Sequence, residues 1–182
     1  LVNQMMEIAR LESDAAEVRL APEALRPIVE DAAAGFADEA AARRIRLRVE
    51  APPGLPAVLT DHRALKSALG HLLQNAVAHA PEGGEILMAI AARSGRLRVS
   101  VQDDGPGVES GELARLLRPF EQREAPLTRR GEGAGLGLPI VRLLCRAMGA
   151  SLRLRSSPGA GFTATIGLPT AAGGPLEHSP AA

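Results

Sequence analysis

Apolar residues recur along the chain with two periods, one typical of helices and one typical of strands. Helical spacing is present in residues 1–13, 61–80 and 138–148. The second segment follows Asp61, a suitable N-cap, and the third ends at Gly149, a residue type that favours helix ends. We therefore predict a helix in each of these segments.

Two further helices are predicted in less regular segments. One runs from Pro22 to about Ala42. Pro27 lies near its start, where the missing N–H of proline is tolerated because the first turn has no intrahelical acceptor for it. The other is a short helix near Glu112–Leu117, inside a region rich in glycine and arginine.

Alternation of apolar and polar residues predicts the strands. Residues 45–49 alternate in this way, and a short strand follows around Val58. Two hairpins are predicted, one from residues 86–92 and 97–102 and one from residues 152–154 and 162–168. Strands clustered in hairpins, together with three substantial helices, predict an α+β fold. We expect a two-layer α/β sandwich, with a mixed β-sheet covered on one face by the three helices.

Composition limits the classes of function. With 182 residues, 46% of them hydrophobic, the chain can form one domain with a real core. Its 21 basic and 21 acidic residues balance, which argues against a nucleic-acid partner. Cys145 is the single cysteine and lies in an apolar helical segment, so we expect a buried thiol and no disulfide. No apolar run approaches the roughly 20 residues of a membrane span.

Three parts are expected along the chain. Residues 1–16 look like the end of a longer helix, because the apolar stripe begins without a cap. Residues 17–169 would form the folded domain, and residues 170–182 a disordered tail. Since the chain begins at Leu1 and in mid-pattern, we expect it to be a fragment.

The helix predicted at 61–80 carries an unusual polar face. Ser67, His71, Asn75 and His79 are spaced four residues apart and therefore stack on one side. Asn75 is a mediocre helix former in an apolar context. It is either a solvated or locally bonded side chain, or a ligand for Mg²⁺, which an amide oxygen suits when phosphates supply the negative charge.

A strand leads directly into the sequence Asp103-Asp104-Gly105-Pro106-Gly107. Such a sequence is often only a turn. Alternatively, the carboxylate of Asp103 accepts a hydrogen bond from the exocyclic amine of adenine, and the glycines let the base approach the backbone.

Alternating glycines from Gly131 to Gly137 lead straight into the last helix, which has Pro139 in its first turn. Flexible glycine backbone at a helix N-terminus suits an anion. A dinucleotide-binding fingerprint lacks its third glycine here, and a P-loop lacks its lysine, because Lys66 is the only one in the chain. A flexible linker is the alternative.

The order and spacing of these motifs resemble the nucleotide-binding boxes of sensor histidine kinases, which share an ATPase superfamily with DNA gyrase and the mismatch-repair MutL proteins. The resemblance covers residues 20–168, and residues 1–13 resemble the end of that family's dimerisation hairpin. The segments that carry it are Asn75, Asp103-x-Gly105-x-Gly107, Phe120, Gly133-x-Gly135-x-Gly137 and Gly159-x-Gly161-Phe162-Thr163.

The resemblance implies a Bergerat-type ATP-binding fold and two cofactors, ATP and Mg²⁺. Asn75 would hold the metal against the phosphates and, with His71, form the catalytic face of the helix. Asp103 would bind adenine, with Gly105 and Gly107 flanking the base.

Further contacts are implied for the loops around the nucleotide. Phe120 would anchor a mobile lid, and Thr163 would contact the nucleotide. Three arginines are candidates for the γ-phosphate, since arginine suits phosphate geometry, although a solvated loop face would look the same. They are Arg123, Arg129 and Arg130. The lid hinge and phosphate loop would consist of Gly133, Gly135, Leu136 and Gly137.

The chain departs from the family pattern at two positions. His71 stands where the family often has a second asparagine, and Ala78 stands where a basic residue is common. These changes either weaken phosphate handling or shift it to the lid arginines. His71 can still accept a hydrogen bond through a ring nitrogen, or it simply packs at the edge of the pocket.

The acceptor of the family's reaction is not found in this sequence. Family members carry a histidine followed by an acidic residue, whereas the four histidines here precede Arg63, Leu72, Ala80 and Ser179. The resemblance therefore implies γ-phosphoryl transfer to a histidine on a hairpin outside this chain, in a homodimeric protein whose partner is a response-regulator receiver domain. It also implies a cytoplasmic domain and leaves a membrane anchor upstream open.

Two other functions remain in competition at this point. The first is a degenerate kinase-like module that binds nucleotide or partner proteins without catalysis. The second is an anti-sigma-type serine kinase, whose acceptor lies on a separate protein. The helical segment at residues 1–13 argues against the second, because such kinases lack a preceding hairpin.

Overall fold

The computed structural model describes residues 2, 6, 8, 9, 18–93, 95–118 and 135–171. The four N-terminal positions are helical, and Ile8 among them is buried. The other residues of the helix predicted at 1–13 lie outside the described residues.

Helices and strands are interspersed along the chain, and several strands follow one another directly. Two 3-10 turns, Ser110–Glu112 and Arg115–Leu117, precede the last helix. The helices are α1 (Leu25–Ala34), α2 (Ala37–Ala42), α3 (His62–His79) and α4 (Gly137–Ala147). The strands are β1 (Ala21–Glu23), β2 (Arg46–Glu50), β3 (Val58–Thr60), β4 (Glu85–Arg93), β5 (Arg96–Asp103), β6 (Ser151–Ser156) and β7 (Phe162–Pro169).

Five strands form the main sheet, in the order β2-β4-β5-β7-β6. β2 runs parallel to β4, and the other neighbours are antiparallel, so the sheet is mixed as predicted. The helices α1, α3 and α4 contact the sheet, and α3 packs between the other two. Alternate residues of β4 and β5 are fully buried beneath them. The predicted α+β sandwich is confirmed.

A separate pair of short strands closes the domain near its ends. β1 pairs antiparallel with β3, and Thr170 forms an isolated bridge with Val58 of β3. The Thr170 hydroxyl also donates to the Gly95 carbonyl at 3.1 Å. These contacts place Thr170 against the folded domain, just beyond the boundary at 169 that we predicted.

The long helix α3 begins where the sequence indicates. The side chain of Asp61 accepts a hydrogen bond from the Ala64 N–H at 2.9 Å and another from the Arg19 N–H at 2.8 Å. The predicted apolar stripe of Leu65, Leu69, Leu72 and Ala76 is buried against the sheet. Asp61 therefore both starts the helix and attaches the incoming segment to it.

We expect Asp61→Ala to lower the free energy of unfolding by about 1–2 kcal/mol at neutral pH, because it removes a helix cap. Partial burial acts to raise the pKa of Asp61, but backbone N–H donors, Ala64 first, hold it below the ordinary value of 3.8. This stabilisation is present above the unfolded-state pKa and is lost as pH falls through the lower folded pKa.

Urea titrations of wild type and variant across this pH range measure the difference in stability. Asp61→Ser provides the control, because it keeps a capping oxygen and removes the charge. A difference between wild type and Asp61→Ala that is unchanged in acid would contradict the role of the carboxylate.

Two predicted helices differ in the structure. The helix expected from Pro22 to Ala42 is preceded by strand β1 and is broken into α1 and α2 at Gly35 and Phe36. Glycine disfavours a helix interior, and the half-buried Phe36 packs against the core at this corner. The helix predicted near Glu112–Leu117 is instead the pair of 3-10 turns.

The single cysteine lies where the apolar pattern of α4 places it. Cys145 lies on the buried face of α4, and burial raises the pKa of its thiol to about 12. The thiol is therefore protonated and inert at neutral pH, as expected for a structural residue. Gly149, with φ of +64°, ends the same helix as predicted.

Candidate functional site

Asp103 lies at the end of β5, the middle strand of the sheet. Its register partners are Ile86 on β4 and Phe162 on β7. Since alternate residues of a strand share a face, Asp103 points to the side that the helices cover, together with Val101. It is only 3% exposed. The fold thus places a carboxylate at the edge of the apolar core.

The charge of Asp103 is held in an unfavourable environment. Burial raises the pKa of Asp103 above its ordinary value, while the Gly105 N–H and the nearby His79 act to lower it. Gly105 N donates to Asp103 Oδ1 at 2.9 Å. An ionised carboxylate offers about four acceptor positions. It can therefore accept a further N–H from a ligand such as an adenine amine.

One face of α3 connects the two ends of the candidate site. A β-carbon on Gly105 would lie 2.8 Å from the His79 carbonyl oxygen, and one on Gly137 would lie 3.9 Å from the His71 carbonyl oxygen. Asn75 is half-buried between these two histidines, about 6 Å along the helix axis from each. The helix thus presents Asn75 midway between the Asp103 loop and the start of α4.

The start of α4 has the features expected of an anion site. Gly135 has φ of +68°, and the buried Leu136 occupies the N-cap position before Gly137. No side chain of the described residues caps this helix, and its first turn contains no acidic residue. The N–H groups and the positive end of the helix dipole are therefore available to a phosphate.

Several predicted site residues lie outside the described residues. They are Phe120, Arg123, Arg129, Arg130 and Gly133. The lid and the γ-phosphate contacts assigned to them stay predictions.

The glycines after Asp103 meet backbone. We predicted that they let a base approach the chain. That role stays a prediction. In the structure, Gly105 fits against the end of α3, and a β-carbon on Gly107 would lie 2.1 Å from the Ser157 carbonyl oxygen. Gly107 also has φ of +66°, which other residues rarely adopt. The close approach that requires glycine here is between two segments of the protein.

Thr163 is not brought to this cluster. It pairs with Gln102 on β5 and Arg155 on β6. The row of paired residues that contains Asp103 runs across the sheet through Phe162, the residue before Thr163. Because successive residues of a strand point to opposite faces, Thr163 lies on the side without helices. Phe162, in the row of Asp103, is buried on the same face and stands nearer the candidate site.

Sequence reasoning missed two polar residues that shape the site. Asp104 Oδ2 accepts a hydrogen bond from the Glu85 N–H at 3.0 Å, which fixes the start of β4. Ser156 Oγ accepts from the Val108 N–H at 2.9 Å and donates to the Gly161 carbonyl at 2.5 Å. For Asp104, the flanking Asp-Gly pattern was a signal, whereas nothing in the sequence around Ser156 indicates these partners.

Two features are absent from the part of the chain that the structure describes. None of the helices there combines the length and apolar character needed to cross a membrane. No group of three or more His, Cys, Asp and Glu side chains in those same parts of the chain is arranged to hold a metal ion.

The chain is similar in sequence to a known family and to named proteins. Residues 60–172 match the family described as histidine kinase-, DNA gyrase B- and HSP90-like ATPases. Two proteins of Caulobacter vibrioides, the non-motile and phage-resistance protein and the histidine protein kinase DivJ, are each 31% identical over 93% of this chain. These alignments cover 20% and 28% of the two relatives, so the chain spans less than a third of their length.

Solved structures have a similar fold. Full-length ShkA in complex with AMPPNP superposes with a TM-score of 0.82 and 32% identity, over 96% of this chain and 36% of that one. The nucleotide-free catalytic domain of the histidine kinase ThkA gives a TM-score of 0.71 and 22% identity, over 84% of this chain and 96% of that one.

Proposed function

Because the chain belongs to the family of histidine kinase-, DNA gyrase B- and HSP90-like ATPases, we propose that it binds ATP with Mg²⁺ and transfers the γ-phosphoryl group to a histidine. It is the catalytic ATP-binding domain of a sensor histidine kinase. The metal, the transfer and the acceptor make up the proposal.

One observation carries the proposal: a single face of α3 joins the buried Asp103 carboxylate to the N-terminus of α4, with Asn75 between them. Asp103 would accept the exocyclic amine of adenine. The N–H groups at Gly137 would bind the phosphates, which extend along α3 past Asn75. A buried acceptor at one end and a helix N-terminus at the other match a ligand with a base and an anionic chain.

Asn75 is suited to hold Mg²⁺ against such phosphates. Its amide oxygen is a hard, neutral donor, and the phosphates provide the negative charge that Mg²⁺ requires. When bound, the metal neutralises charge that develops on the phosphates during transfer. The residues of this chain would orient the nucleotide. Because Asn75 is half-buried, the side of the bound phosphates that faces it would be shielded from water.

The transfer breaks the bond between the γ-phosphorus and the β–γ bridging oxygen of ATP, and ADP leaves with that electron pair. A lone pair on an imidazole nitrogen of the acceptor forms the new bond to the γ-phosphorus. No histidine here is followed by an acidic residue. We propose that the acceptor lies on a helical hairpin of the longer, homodimeric protein, and that a receiver domain takes the phosphoryl group from it.

A binding module without catalysis is the second candidate. It is favoured by two positions on α3: Ala78 is exposed and uncharged where the family often has a basic residue, and His71 stands where the family often has an asparagine. Such a module would still hold nucleotide through Asp103.

Two measurements separate these candidates. Calorimetric titration shows whether the chain binds ATP and whether Mg²⁺ strengthens binding. Incubation with γ-labelled ATP and a purified hairpin fragment then tests transfer. We expect acid-labile phosphate on the hairpin and none on this chain. Binding without transfer would favour the module, and no binding would contradict both functions.

The affinity for adenosine is expected to fall as pH is lowered through the raised pKa of Asp103. Protonation replaces an acceptor by a hydroxyl donor, which faces the donor amine of adenine. Titrations with adenosine from neutral to mildly acidic pH measure this change. Asp103→Asn is the control and should remove the dependence. A flat profile in the wild type would contradict the proposed contact.

A further inference from the structure

We propose that Ser156 is a positioning residue for the nucleotide base: its hydroxyl fixes the Asp103–Val108 loop against the β6–β7 turn and so orients Asp103. This inference depends on the proposed function, because it concerns the same base site. Ser156 is the last residue of the edge strand β6 and lies two strands away from Asp103.

Ser156 and Asp103 belong to one row across the sheet. Phe162 pairs with Asp103 on one side and with Ser156 on the other. Alternation places the side chains of this row on the same, helix-covered face. The hydroxyl of Ser156 therefore points to the side on which the base would bind.

The hydroxyl uses both of its functions to join two backbone segments. It accepts the Val108 N–H at 2.9 Å and donates to the Gly161 carbonyl at 2.5 Å. A backbone bond from Gly159 N to the Pro106 carbonyl, at 2.8 Å, lies beside this link. The loop after β5 is thereby closed onto the turn before β7.

From Ser156, two paths reach Asp103. Through Val108, the link holds the loop whose Gly105 N–H donates to Asp103 Oδ1. Through Gly161, it holds a residue so close to Asp103 that a β-carbon there would lie 2.0 Å from the Asp103 carbonyl oxygen. Both the side chain and the backbone of Asp103 are thus located by segments that Ser156 connects.

Ser156→Ala leaves the Val108 N–H and the Gly161 carbonyl without this partner, so the loop should adopt other positions part of the time. The affinity of a ligand that needs one loop position falls in proportion to the fraction of molecules whose loop adopts that position. We expect adenosine, ADP and ATP to bind about 10-fold more weakly if about a tenth of the molecules stay competent. The gain in ATP affinity on adding Mg²⁺ should not change.

Calorimetric titrations of five variants test the inference: Ser156→Ala, Asp103→Asn and the three that follow. Ser156→Thr keeps a hydroxyl and should restore most of the affinity. Ser157→Ala is the matched control, because the exposed side chain of Ser157 lies next in the chain and its backbone is retained. The double variant Ser156→Ala with Asp103→Asn should bind no more weakly than Asp103→Asn alone, because Ser156 acts through Asp103.

Amide hydrogen exchange gives a readout that needs no ligand. Exchange should become faster at Val108 and Gly159 in Ser156→Ala, and not in Ser157→Ala.

The outcomes separate this inference from the proposed function. If wild type binds adenosine and Ser156→Ala binds it equally well, with only a lower melting temperature, Ser156 is structural and the inference is wrong. Additive losses in the double variant would also overturn it. If wild type binds no adenosine, the proposed base site fails and the role of Ser156 fails with it.

Discussion

Asp103→Asn is expected to weaken the binding of adenosine, ADP and ATP alike, by about one to two orders of magnitude. A hydrogen bond to a charged group contributes roughly 1.5–3 kcal/mol, which corresponds to that range of affinity. The three ligands share the base that Asp103 would contact, so the loss should be equal for all of them. Calorimetric titration with each ligand measures it.

The same substitution should increase the stability of the ligand-free protein. Burial raises the folded-state pKa of Asp103, so the native state binds more protons than the unfolded state and stability falls as pH rises through this pKa. Asparagine carries no charge and still offers an oxygen to the Gly105 N–H. Urea unfolding at neutral pH should therefore show a higher free energy of unfolding for the variant.

Together, weaker binding and greater stability distinguish a lost contact from a damaged fold. Asp104→Asn is the matched control: it removes a neighbouring charge, and its amide oxygen can still accept the Glu85 N–H. Its ligand affinity should equal that of wild type. Equal losses of affinity in both variants, or a loss of affinity confined to ATP, would show that Asp103 does not bind the adenine base.

Asn75→Ala should abolish the gain in ATP affinity that Mg²⁺ provides and leave adenosine binding nearly unchanged. Asn75 lies about one helical turn from His79, near Asp103, and one turn from His71, near the start of α4, so it would meet the phosphates and not the base. Removing one group that stabilises charge during transfer lowers rates on the order of 10²–10³. We expect a loss of this size in phosphotransfer to the hairpin fragment.

The fold should tolerate this change. Alanine exceeds asparagine in helix propensity by up to about 0.7 kcal/mol, and Asn75 is only half-buried. Gln74→Ala serves as the control, since it removes an exposed amide from the same helix turn on another side. If Asn75→Ala impairs adenosine as much as Mg²⁺–ATP in a folded protein, Asn75 is a structural residue and the metal-ligand role is wrong.

Much of the candidate site could be predicted because its signals are local. Asn75 stands out within one helix face, and Asp103 within one strand end. The start of α4 stands out through its glycines. That Asp103 and the start of α4 lie along the same face of α3 as Asn75 could not be predicted locally. It follows from the tertiary contacts of Gly105 and Gly137 with α3.

Other parts of the site could not be predicted from local signals. The side of the sheet on which Thr163 lies follows from its pairing with Gln102. This pairing joins β7 to β5, two strands that are distant in sequence. The partners of Ser156 are 48 residues away at Val108 and five away across a turn at Gly161. A hydroxyl at a strand end has the same appearance in sequence whether or not such partners exist.

The sequence by itself determined the helices and strands whose ends are marked within a few residues. Asp61 begins α3 and Gly149 ends α4. Both signals are local, because the capping side chain bonds to the N–H three residues on and the left-handed conformation is a property of the glycine itself. Only the tertiary structure decided the parallel pairing of β2 with β4, the break at Gly35, and the reason for glycine at 107 and 161. These features depend on which distant segments pack together, and that packing is set by the burial of the whole core rather than by the propensity of any one segment.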